Sequence, residues 1–181
     1  MKQRKVIIFS GRRFTVPQGI QRIDSTSTHG WQVRYQGTKF FSDGVPADGR
    51  GAAASLAKAM QELFARIATL PAPVVLKRGP SPLKTSRLPA GISGPIVVAR
   101  SDGGVRSAVL SVLLPRFGET AQMKSIYIGT ENTYTQARYR AAVTEAKILR
   151  AEAVATYETS ATLARRREAR SLRQSLSASR R

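Results

Sequence analysis

Trp31-Gln32-Val33-Arg34-Tyr35-Gln36 alternates large apolar residues with polar ones without a break. A period of two marks a strand with one buried face, so Trp31, Val33 and Tyr35 are expected to enter a core while Gln32, Arg34 and Gln36 face away from it. Working outward, two further short strands are expected at 20–23 and 39–41, set off by the turn-rich Asp24-Ser25-Thr26-Ser27-Thr28-His29-Gly30 and by Gly37. A loop rich in Gly and Asp covers 42–51. Residues 52–68 then place Leu56, Ala59, Met60, Leu63, Phe64 and Ile67 at helical spacing, an amphipathic helix suited to cover the apolar strand face.

The same order returns downstream. Val16-Pro17-Gln18-Gly19-Ile20, which opens the first strand-rich stretch, is echoed by Leu88-Pro89-Ala90-Gly91-Ile92. Strands are expected at 92 with 96–99, at 106–114 after the Asp102-Gly103-Gly104 turn, and at 123–128, with a helix from about 133. Residues 136–158 contain no Gly or Pro and are rich in Ala, and the helical pattern can run to about 176. Ala142, Ala146, Leu149, Ala153, Thr156, Ser160 and Leu163 follow a 4,3 spacing. This is a weak seam for a homo-oligomer; otherwise the first half of the helix packs on its own sheet and the rest is a solvated basic extension.

The expected organisation is α+β: a basic N-terminal arm at 1–15, able to add an edge strand, and two small units at 16–70 and 88–158. A Pro-rich basic linker at 71–87 joins them, and an Arg-rich extension follows at 159–181. Each unit combines three strands with one helix, the second helix long and extended.

The charge excess decides the partner class. Thirty Lys and Arg against 11 Asp and Glu leave a net charge of +19, which repels itself unless a polyanion compensates it. The chain has no cysteine and a single histidine, His29, so no thiolate nucleophile, Cys-based zinc site or His-based catalytic pair can be built. No phosphate-binding loop motif, zinc-protease motif or magnesium-holding carboxylate cluster is present. The nearest carboxylate pair, Asp43 and Asp48, lies in a loop where turn chemistry accounts for both. The basic start is followed by only four apolar residues, Val6-Ile7-Ile8-Phe9, too few for a secretory signal, and no run is long enough to span a membrane. The expectation is a cytoplasmic, non-enzymatic protein with no cofactor, metal, small-molecule substrate or membrane partner.

Ile126-Tyr127-Ile128-Gly129-Thr130, followed by Thr133, Gln136-Ala137 and Tyr139-Arg140-Ala141-Ala142, resembles the third strand and helix start of the Apetala-two/ethylene-response-factor DNA-binding family. Gly19-Ile20-Gln21-Arg22-Ile23, Gly30-Trp31-Gln32-Val33-Arg34 and Phe40-Phe41-Ser42-Asp43 resemble its first strands and a version found in bacterial and phage-borne members. The resemblance implies a three-stranded antiparallel sheet backed by a helix, with the open sheet face in the DNA major groove. Two tandem copies would act as a regulator or an architectural factor associated with the nucleoid.

Double-stranded DNA is therefore the expected partner. Gln32, Arg34 and Gln36 would read bases, joined by Gln21 or Arg22 from the first strand and Lys39 or Phe40 from the third, the choice in each pair depending on strand register. In the second unit, if Ala108, Leu110 and Val112 are core, the outward Ser107, Val109, Ser111 and Leu113 are almost free of charge. That unit would use Arg100, Arg106, Lys124 and Tyr127 at its edges, or dock on protein. Arg165, Arg166 and Arg167 open a tail with seven Arg against Glu168, suited to phosphate contact. The competing readings are an RNA-binding or ribosome-associated protein and an assembly module for a nucleoprotein filament.

Overall fold

The computed structural model describes residues 1–44, 49–76, 79–99 and 104–178. Within them the chain is α+β, with three small antiparallel sheets and two helices, the second of them long. It divides into two compact units, Met1–Pro73 with Thr162–Arg181, and Val74–Ala161.

In the first of these, β1 (Gln3–Ile7) and β2 (Arg13–Pro17) form a hairpin, with Val6 opposite Phe14 and Arg4 opposite Val16. The arm expected at 1–15 is thus neither a free arm nor an edge of the larger sheet. Its apolar residues supply the reason: Ile8 and Val16 are buried, and Val6 and Phe14 pack against the same core. Val16 and Pro17 close this hairpin rather than opening the next sheet.

The second sheet has the order β3 (Ile20–Asp24), β4 (His29–Arg34) and β5 (Thr38–Ser42). The alternation in β4 works as its period demands. Trp31, Val33 and Tyr35 are buried against Leu56, Ala59, Leu63 and Ile67 of α1 (Ala52–Thr69). Burying an indole requires a partner for its N–H, and Trp31 Nε1 donates to the Ala52 carbonyl at 2.8 Å, joining the strand to the first turn of the helix.

In the other unit, β6 (Ile92–Val98), β7 (Ser107–Leu114) and β8 (Gln122–Thr130) form a sheet of the same order. Leu110 and Val112, with Ile92, Ile126 and Ile128, pack on Ala142 and Ala146 of α2 (Gln136–Ala178). The Thr135 hydroxyl accepts the Arg138 N–H at 3.2 Å, an N-cap that satisfies one of the helix's orphan donors. The first residues of the 4,3 seam are thus spent on this core. Leu163, at its far end, remains exposed.

The last part of α2 is not the solvated extension expected for 159–181. Within the first unit Ala169 joins the core of that unit and Leu172 is buried. Arg166 Nε donates to the Ile67 carbonyl at 3.3 Å, and Glu168 lies 3.5 Å from the N-terminal amine. Ala169 and Leu172 lie three apart, which puts both on one helix face and leaves the arginines around its rim.

The sequence echo has a structural counterpart. Gly19 and Gly91 both hold positive φ, +104° and +80°, which residues with a Cβ rarely adopt. The carbonyl of each accepts an N–H from the middle strand of its sheet, Arg34 onto Gly19 at 2.7 Å and Leu113 onto Gly91 at 2.8 Å. From these anchors the registers correspond. Val33 faces Ile20 and Lys39, and Val112 faces Ile92 and Lys124.

Candidate nucleic-acid interface

Strand register determines which side chains reach the open face of the β3–β4–β5 sheet. Gln21 pairs with Gln32 and Gln32 with Phe40, so these three form one row across the strands; Arg34 and Thr38 form the next. Arg34 Nε donates to Gln32 Oε1 at 2.6 Å, which orients the guanidinium along the face and leaves its terminal nitrogens available. Phe40, 40% exposed, lies across Gly30: a Cβ there would meet the Phe40 ring at 2.5 Å and the Phe41 carbonyl at 2.3 Å. The position without a Cβ leaves room for the ring against the strand. No carboxylate stands in either row.

Three residues expected to read bases are placed elsewhere. Arg22 pairs with Trp31 and so faces the core side. Its guanidinium stacks over the Trp31 ring at 4.9 Å and bonds Asp43 at 2.6 Å and Asp24 at 2.7 Å, with side-chain exposures of 6% for Arg22 and 1% for Asp43. Burial alone would lower the Arg22 pKa, but the hydrogen bonds and charges of the two aspartates outweigh it and raise it further. Asp24 is held below the usual carboxylate range despite its burial, because Arg22 and His29 hydrogen-bond it and Arg22 adds its charge. Asp43 also accepts the Ser55 hydroxyl at 2.5 Å, so it is a structural tie between loop and helix.

Lys39, opposite Val33, is likewise on the helix side, where it bonds Glu62 at 2.9 Å. Hydrogen bonds from Lys39 and Arg66 hold the Glu62 carboxyl below its ordinary range. Gln36 lies beyond the end of β4 at φ +49°, where the chain turns, and its side chain donates to the Pro71 carbonyl at 3.2 Å. Strand pairing ends at Arg34; Tyr35 is still buried, and Gln36 leaves the row at the turn.

The open face of the β6–β7–β8 sheet has a different chemistry. Ser93, Ser111 and Ser125 form one row and Leu113 with Met123 another; beyond a bulge, Ile96, Val109 and Tyr127 form a third. None of these side chains is charged, and Met123 and Tyr127 are 60% and 57% exposed. Lys124 pairs with the buried Val112 and belongs to the opposite side of the sheet, so it does not join them. Arg106 precedes β7 and is ion-paired with Glu131 at 3.0 Å. Arg100 lies outside the described residues.

Of the tail arginines, Arg165 contacts the Gln18 carbonyl at 3.4 Å and Glu168 at 3.4 Å, Arg166 contacts Ile67, and Arg167 is exposed. Lys2 and Arg4 join Arg34 and Arg165 in an open cleft beside the sheet, with Gln18 and Gln21. The sequence expectation had Lys2 and Arg4 only as part of a basic arm and not among the binding residues.

Among the described residues no group of His, Cys, Asp and Glu could hold a metal ion, and no helix is long and apolar enough to cross a membrane. In comparisons with known proteins, no family model, no curated protein and no solved structure matches the chain.

Proposed function

We propose that the chain is a non-enzymatic double-stranded DNA-binding protein, made of two Apetala-two-like units that each set a three-stranded sheet on a helix. In this reading it acts as a nucleoid-associated regulator or architectural factor of bacterial or phage type. The observation that carries it is the row Gln21–Gln32–Phe40 with Arg34 beside it, on a sheet face without carboxylates. Three strands about 4.8 Å apart span roughly 10 Å, which suits a major groove about 12 Å wide. Arg34 matches the O6 and N7 acceptors of guanine, Gln21 or Gln32 the edge of adenine, and Phe40 the thymine methyl. The basic tail and the Pro-rich segment add phosphate contacts that carry no sequence information.

The uncharged face of the β6–β7–β8 sheet supports a narrower role for the second unit, as a docking face for protein in a nucleoprotein assembly. A double-stranded RNA partner fits the first sheet less well, because the A-form major groove is too deep and narrow for a sheet.

The test is a binding titration at two salt concentrations against random duplex DNA, a selected duplex pool and double-stranded RNA, with wild type and Arg34→Ala. Preference for particular duplexes should survive the higher salt and fall roughly 10–100-fold in the variant. Equal, salt-labile binding to all three, unchanged by the substitution, would leave a sequence-blind polyanion binder.

A further inference from the structure

The turn Gln18-Gly19-Ile20 gathers cations from three separate elements of the first unit. Arg4 on β1 donates to the Ile20 carbonyl at 3.1 Å, and Arg165 on α2 reaches the Gln18 carbonyl at 3.4 Å. The Arg34 backbone N–H is bound to the Gly19 carbonyl at 2.7 Å, and the Gln18 N–H to the Lys2 carbonyl at 2.9 Å. Three successive carbonyls of one turn thus fix Arg4, Arg34 and Arg165 around a cleft of about 520 Å³ that Lys2 also lines.

The Arg4 and Arg165 guanidiniums spend only part of their five N–H donors on the turn, and that of Arg34 spends its Nε on Gln32, so each keeps donors for a ligand in the cleft they line. No carboxylate lines it. Glu168, the carboxylate paired with Arg165 at 3.4 Å, is shared with the N-terminal amine at 3.5 Å, which leaves the group cationic. Gly19 is required at the centre because its φ is +104° and a Cβ would press on Leu63 at 3.1 Å.

We infer that this cleft is a phosphate site for the nucleic-acid backbone, flanking the sheet face that reads the groove and holding the duplex in register on it. The inference rests on the DNA-binding reading and deepens it. Arg34 is the hinge between the two tasks: its side chain stands on the reading face and also lines the cleft. A strand of phosphates entering here would pass Lys2, Arg4 and Arg165 while the bases remain over Gln21 and Gln32. Such a contact fixes position and carries no sequence information of its own.

The experiment compares full-length wild type, Lys2→Gln, the double variant Lys2→Gln/Arg165→Gln, and Lys58→Gln on the exposed side of α1 as a charge-matched control, with preferred and random duplexes across a salt series. The double variant should bind both duplexes about tenfold more weakly per lost charge at 0.1 M salt, with the preference ratio unchanged. The slope of log K against log salt should fall by about two. Lys2→Gln alone should lower the slope by about one, and since that side chain makes no hydrogen bond to other described residues, it guards against a folding defect in the double variant. If the cleft variants match Lys58→Gln while wild type still prefers particular duplexes, the phosphate site is overturned and the groove reading stands. A wild type with no duplex preference overturns the groove reading, and the phosphate site falls with it only if the cleft variants also match Lys58→Gln.

Discussion

The two three-stranded sheets share a scaffold and differ in their surfaces. Aligned on Gly19 and Gly91, their inward positions match in kind: Ile20 with Ile92, Trp31 with Leu110, Val33 with Val112, and Lys39 with Lys124 at the edge. Their outward positions do not. Gln21, Gln32 and Phe40 correspond to Ser93, Ser111 and Ser125, and Arg34 corresponds to Leu113. Packing demands volume and apolarity wherever a strand meets a helix, so inward positions are restrained to one class of residue. The outward face is restrained only by what it must touch. The difference therefore separates what the scaffold needs from what each surface presents, amide and guanidinium groups on the first sheet and hydroxyl and apolar groups on the second.

The comparison is broken most forcefully at its shared core. Trp31→Ala removes a fully buried indole together with its bond to Ala52 and should cost about 3–5 kcal/mol, whereas Leu110→Ala should cost about 3. Urea unfolding followed by circular dichroism checks both. Trp31 is the sole tryptophan, so in Leu110→Ala its fluorescence follows the first unit, whose transition should stay in place.

Next in size is the exchange of outward residues. Arg34→Leu, which gives the first sheet the residue of the second, should lose about 1–3 kcal/mol of discrimination between preferred and random duplexes. Leu113→Arg should create no preference, because serines rather than amide side chains surround it. A gain of preference there would show that one arginine is sufficient and that the serine row is no obstacle.

A smaller effect is expected at the two anchoring glycines. Gly19→Ala and Gly91→Ala should each cost about 1–2 kcal/mol from the positive φ alone. Gly19→Ala should cost more, because its Cβ meets the fully buried core residue Leu63, whereas that of Gly91 meets the less buried Arg150 guanidinium, which can shift at the expense of its bond to the Leu113 carbonyl. Equal losses in unfolding experiments would mean that the core yields as readily as the surface.

The smallest is acid sensitivity of the first unit. Asp24 and Glu62 both have folded-state pKa values below their ordinary ones. The stability they contribute is present above the unfolded carboxylate range of about 4 and is lost as pH falls through the folded values. The Trp31 fluorescence transition should move to lower urea between pH 7 and pH 3, and by less in Asp24→Asn.

How far the sequence carried follows from the range of the interactions involved. The alternation in β4, the helical spacing over α1 and the α+β class were legible, because each reflects a period imposed by neighbouring residues. The inward side of Leu110 and Val112 was legible for the same reason. The sign at Arg22 was not, since its strand offered Gln21 and Arg22 equally until pairing with β4 turned Arg22 onto Trp31 and Asp43. Lys39 and Lys124 were misplaced on the same ground, and Gln36 because nothing local announced that the strand ends at Arg34. The N-terminal hairpin was half visible, as a β-prone run without its partner.

By itself, the sequence determined the net charge of +19, the lack of cysteine, and the alternation that divides β4 into core and outward residues. These depend on composition and on contacts between near neighbours. Tertiary structure alone decided which residues of β3 and β5 share the face of Arg34, that residues beyond 162 pack in the first unit, and that Lys2, Arg4, Arg34 and Arg165 meet at one turn. Those outcomes rest on hydrogen bonds and burial between segments far apart in the chain, for which no local period exists.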